Sequence, residues 1–203
     1  AIEWTRQIEK HLGTRSAAEY LPASTEVPAL LRAFAEATDP EWKASLAMLL
    51  GFAPEGQKGA AKEALRSALA KMPPSPLNDG LEKEAIFAWI SLGRLGLESA
   101  DQKLWQASTE RPEAALLKTL AYVAGIANWQ DKPILLALRQ LMASEDKEVR
   151  LNAALALAAA DQDARSLIKK EFERSYMPGA EAEIAFFESV LGRLGSLGFF
   201  KGD

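Results

Sequence analysis

Cysteine is absent from this 203-residue chain, and histidine occurs once, as His11. Without cysteine there are no disulfides, thiolate metal sites or cysteine nucleophiles. One histidine and no thiol exclude zinc sites of the usual kind. The sequence therefore implies no metal centre and no cofactor. A lone histidine near a terminus is more often solvent-exposed than functional. Long apolar runs are missing too: the longest, Ala153 to Ala160, is eight residues of mostly alanine. A membrane-crossing helix needs about 18 or more, so no membrane insertion is expected.

Charge of one sign is not concentrated anywhere. Residues 1–100 carry 11 Lys/Arg against 13 Asp/Glu, and residues 101–203 carry 13 against 15, for a net charge of −4. Phosphate binding needs clustered cations. The densest group, Lys169-Lys170 with Arg165 and Arg174, is interrupted by Glu171 and Glu173 and reads as a solvated amphipathic face. No nucleic-acid partner is expected. The chain opens at Ala1 without an initiator Met or a secretory leader, as a trimmed, processed or excised chain does. A cytoplasmic location is the expectation, with an extracytoplasmic one if Ala1 is a processed end.

Strand signals are nearly absent as well. Alanine and leucine dominate, and both favour helix. Helix starts are marked at Asp39-Pro40, Asn78-Asp79, Ser99, Thr109 or Arg111-Pro112, Asp131 with Pro133, and Ser144. Stops fall at Gly13, Ala53-Pro54, Met72-Pro73-Pro74, Gly96, Asn128, Asp161 and Pro178-Gly179. Gly51, Gly93 and Gly96 read as helix terminators. Helices are expected over about 2–12, 26–37, 40–52, 57–71, 81–95, 100–107, 112–127, 132–142, 145–159, 162–176 and 180–196. Most connections are short, so successive helices should run antiparallel.

A phrase recurs along the chain. Asp146-Lys147-Glu148-Val149-Arg150, followed by Ala153-Ala154 and Leu157, matches Asp39-Pro40-Glu41-Trp42-Lys43, followed by Leu46-Ala47 and Leu50-Gly51. Leu92-Gly93-Arg94-Leu95-Gly96 returns as Leu191-Gly192-Arg193-Leu194-Gly195, an offset of 191 − 92 = 99, three units of 33. Weaker copies span Glu84 to Gly96, Leu116 to Gly125 and Glu183 to Gly195. Fixed-period similarity in a helical sequence points to a stacked array. Small residues at repeated sites let neighbouring layers approach closely.

The unit over 133–172 resembles a HEAT repeat, the two-helix building block of α-solenoids, through Asp146, Val149-Arg150, Ala153-Ala154, Leu157 and Asp161. The stretch from Val27-Pro28 to Gly51 is similar, with Trp42-Lys43 where the family has Val-Arg. The resemblance implies an all-α, right-handed α-α superhelix of about five helical pairs. It would form one domain over 1–203, with second helices opening near Trp42, Glu84, Leu116, Val149 and Glu183. It also implies an Asp-to-Arg ladder between repeats. Only Asp39/Lys43 and Asp146/Arg150 remain of that pattern, so local caps and surface contacts are expected instead.

No catalytic constellation is present. Carboxylates two residues apart, such as Glu82/Glu84, Glu171/Glu173 and Glu181/Glu183, point in different directions on a helix and read as solvated. In HEAT arrays the second helices line the concave face. With each second helix numbered from its Val-like residue, positions 1, 5, 8, 9 and 12 form the core, which places Trp42 inside. Positions 3 and 7 lie on the opposite side. They yield an apolar ridge in which Met48, Ile86, Ile90, Tyr122, Leu151 and Leu155 are the candidate partner-binding residues. Exposed apolar patches of this kind mark interfaces. The expected function is a non-catalytic scaffold or adaptor for a protein or peptide segment. The alternative is a HEAT-like enzyme of the DNA glycosylase or bilin lyase type, for which the five tryptophans would supply stacking surfaces.

Overall fold

A computed structural model describes residues 26–127 and 129–160, and all its regular structure is helical. The described residues fall into two compact units divided between Leu97 and Glu98. The first holds α1 (Val27–Glu36), α2 (Pro40–Leu50), a single 3-10 turn (Glu55–Gln57), α3 (Lys58–Ala70) and α4 (Asp79–Leu95). The second holds α5 (Asp101–Thr109), α6 (Ala114–Ala127), α7 (Lys132–Leu141) and α8 (Lys147–Ala160). No described helix is long and apolar enough to cross a membrane.

The boundaries follow from local chemistry. Asp39 Oδ1 accepts the Glu41 amide at 2.9 Å, and Pro40 takes the first helical position of α2, where no amide donor is needed. Asp146 Oδ1 accepts from the amides of Glu148 at 2.8 Å and Val149 at 3.0 Å at the start of α8. The start marked at Asn78-Asp79 is where α4 opens, Asn78 Oδ1 accepting the Leu81 amide at 2.9 Å, five residues before the Glu84 to which the repeat count assigned the second-helix start. Of the three glycines read as terminators, only Gly96 takes a left-handed conformation, with φ 91° at the end of α4. Gly93 lies inside α4, and Gly51 keeps a right-handed helical φ of −64°. The expected helices before residue 26 and after residue 160 lie outside the described residues, as do His11, the Lys169-Lys170 group and the second-helix start near Glu183.

Both units are built alike. In the first, α1 and α3 pack side by side, and α2 packs directly on α4. In the second, α5 lies beside α7 and α6 directly on α8. The directly packed second helices run parallel. Near the N-termini of α2 and α4, Lys83 Nζ donates to Glu41 Oε1 at 2.6 Å. Near their C-terminal ends, a Cβ added to Gly51 would lie 2.6 Å from Ser91 Oγ. Likewise Lys118 pairs with Glu148 near the starts of α6 and α8, while a Cβ on Gly125 would lie 3.3 Å from Ala156 Cα near their ends. The core of the first unit includes Leu46, Leu50, Leu65, Trp89 and Leu92; that of the second includes Trp105, Leu120, Ile134, Leu138 and Val149.

Candidate partner-binding surface

The outward side of the second helices is built from helical spacing. In the second unit, Lys118, Tyr122 and Ile126 fall at i, i+4 and i+8 of α6 and so share one stripe. Tyr122 is 43 % exposed and Ile126 39 %, among the largest exposures of bulky apolar side chains in the described residues. Leu151 and Leu155 of α8 repeat the i, i+4 spacing and are half-buried. The Lys118–Glu148 ion pair fixes the N-terminal end of this strip, and Gly125 against Ala156 closes the floor near its other end. The strip therefore has a base close-packed at Gly125 and Ala156 and an apolar upper surface.

In the first unit the equivalent residues differ. Ile86 and Ile90 of α4 are half-buried. Met48 of α2 is buried, at 9 % exposure, and so is Ala44. Phe52, just after α2, lies under the Arg94 guanidinium at 3.9 Å, so the end of this face is capped by a cation on a ring rather than left bare. The six residues named from sequence thus divide three and three between the units. Ile126 was missed, although its spacing of four from Tyr122 pointed to it.

Trp42, expected in the core, is 54 % exposed. Glu84, the corresponding residue of α4, is only 3 % exposed and is not the solvated carboxylate expected. Lys43 Nζ lies 3.1 Å from Glu84 Oε1 and 5.5 Å from the centroid of the Phe34 ring. One lysine therefore ties α1, α2 and α4 together. The parallel second helices are bridged by the ion pairs Lys43–Glu84, Glu41–Lys83 and Lys118–Glu148. Arg150 bonds locally, its Nη1 donating to the carbonyls of Ser144 and Glu145 at 2.7 Å each. The Asp146 carboxyl is held below the usual carboxylate range, chiefly by the Val149 amide, then by the Glu148 amide and the Lys118 and Arg150 charges.

No cluster of three or more metal-ligating side chains exists among the described residues. No protein family, curated protein or solved structure matches this chain significantly.

Proposed function

We propose that this chain is a non-catalytic scaffold or adaptor, a HEAT-like right-handed α-α superhelix of about five helical pairs that binds a protein or peptide segment. The observation that carries this reading is the apolar strip of Tyr122 and Ile126 over a base fixed by the Lys118–Glu148 pair and the Gly125–Ala156 contact. A strip of this kind suits an amphipathic helix or extended peptide, with a few apolar anchors supplying most of the affinity. Tyr122 joins an apolar ring to a hydrogen-bonding tip. The half-buried Leu151 and Leu155 of the same unit would widen the contact, and in the first unit the half-buried Ile86 and Ile90 would offer a separate surface of the same kind.

The test is Tyr122→Asp with Ile126→Asp in one chain, used as bait in affinity purification from native cell extract against the unaltered chain. Partners captured by the unaltered chain are expected to be lost, with the thermal midpoint moved by less than about 3 °C because neither side chain is buried. Retention of the same partners by the double variant would sink the proposal.

A further inference from the structure

Most cations on the second helices are engaged. Lys43, Lys83 and Lys118 are paired with Glu84, Glu41 and Glu148, and Arg150 donates to the carbonyls of Ser144 and Glu145. Arg94, in the last turn of α4, differs. It is exposed, its guanidinium lies 3.9 Å from the centroid of the Phe52 ring, and no carboxylate or carbonyl accepts from it among the described residues. A ring on one face of a guanidinium leaves the N–H groups at its edge, in a planar fork that fits a carboxylate with two parallel hydrogen bonds. Stacking also holds the side chain in place, so less freedom is lost when a carboxylate arrives. A cation in the last turn of a helix often serves the last carbonyls, but here those carbonyls do not take the guanidinium. Arg94 also ends a stripe. Ile86, Ile90 and Arg94 fall at i, i+4 and i+8 of α4, and both isoleucines are half-buried. Two turns of apolar side chains thus lead to an unused carboxylate fork.

We propose that this stripe binds an amphipathic helix of a protein partner, with two apolar side chains on Ile86 and Ile90 and a glutamate, one turn further on, bridging Arg94. Charge complementarity selects the glutamate over a chain-terminal carboxylate. Terminal carboxylates are captured by backbone amides, whereas the end of α4 presents carbonyls, which a long side chain keeps at a distance. The inference rests on the adaptor reading for its class of partner, but on residues that the Tyr122→Asp/Ile126→Asp test leaves untouched.

Two synthetic helical peptides are the probes: one carries Leu, Leu and Glu at successive four-residue steps on one face, the other the reverse order. Each is paired with a counterpart that has Gln for Glu, and all are titrated into the full chain. One Glu peptide is expected to bind about tenfold more tightly than its Gln counterpart, the scale of a charge-assisted hydrogen bond. Arg94→Ala should erase that difference, and Arg94→Lys should restore only part of it. The thermal midpoint of Arg94→Ala should stay within about 3 °C of the unaltered chain, since Arg94 is exposed. The Tyr122→Asp/Ile126→Asp chain should bind as the unaltered one does. Absence of binding by both Glu peptides up to about 1 mM, equal affinity of Glu and Gln peptides, or an Arg94→Ala loss shared equally by both overturns the proposal. Binding lost only in the Tyr122→Asp/Ile126→Asp chain also overturns it, and would place the peptide on the second unit's strip, leaving the adaptor reading intact.

Discussion

Glycine works in two different ways in this molecule, and substitution separates them. Gly51 has no room for a side chain: an added Cβ would lie 2.6 Å from Ser91 Oγ and 3.0 Å from Ser91 Cα. Gly51→Ala should therefore force α2 and α4 apart and destabilise by about 1–3 kcal/mol, the range for overpacking. Gly59, in the first turn of α3, has nothing within 4 Å of an added Cβ. Gly59→Ala should stabilise by about 0.5–1 kcal/mol through helix propensity and unfolded-chain entropy. Urea unfolding of both variants decides this, and equal effects in the two would refute the close-approach explanation. Glu84 makes a second residue-scale case. Its side chain is 4 % exposed and that of its partner Lys43 26 %. Losing one partner of a buried pair costs about 3–5 kcal/mol, but Lys43 keeps access to water, so Glu84→Ala should cost about 2 kcal/mol. A loss below about 0.5 kcal/mol in urea unfolding would show the pair to be dispensable.

At the scale of the element, helix starts carry a pH signature. Asp146 caps α8, and its carboxyl titrates below the ordinary range because the Val149 and Glu148 amides favour the charged form. The sign follows from linkage: a lowered folded pKa contributes stability that is present above the unfolded value and lost as pH falls through the folded one. Asp146→Asn should therefore flatten the acid limb of the stability curve below the usual carboxylate range and leave its slope near neutral pH unchanged. Thermal midpoints across that window test it, and an unaltered acid limb would assign the titration to other groups. The α2 start uses the same device through Asp39, whose replacement by alanine should cost about 1 kcal/mol. The caps were legible in sequence because an N-cap is a local object: the side chain reaches an amide two or three residues away. The same locality explains why the expected spans 26–37, 40–52 and 57–71 lie so close to α1, α2 and α3. Glu84 shows the limit of such reading. Its distance from Glu82 along the chain said nothing of Lys43, which approaches from another helix.

For the whole molecule, a net charge of −4 spread evenly along the chain bears on partners. A protein that neutralises 6–10 phosphates with clustered cations loses about 10³–10⁵ in affinity between 50 and 200 mM salt. Here the lysines that bridge the second helices are already paired to Glu41, Glu84 and Glu148. Fluorescence anisotropy with a labelled DNA duplex at physiological salt should show no saturable binding up to tens of micromolar. Tight, salt-sensitive binding would return the glycosylase-type alternative to favour.

The sequence by itself determined the helices, their caps and the recurring small residues, because propensity, capping and periodicity act within a few residues. It also determined what chemistry is missing, since absent cysteine and nearly absent histidine need no fold to be counted. Only the tertiary structure decided that Trp42 is exposed while Glu84 is buried, that Gly51, besides ending α2, lies in close approach to Ser91, and that Ile126 extends the strip of Tyr122. Each of these depends on which helix lies against which and in what register. A repeat pattern marks equivalent positions; a residue at such a position is covered only when a neighbouring helix packs upon it.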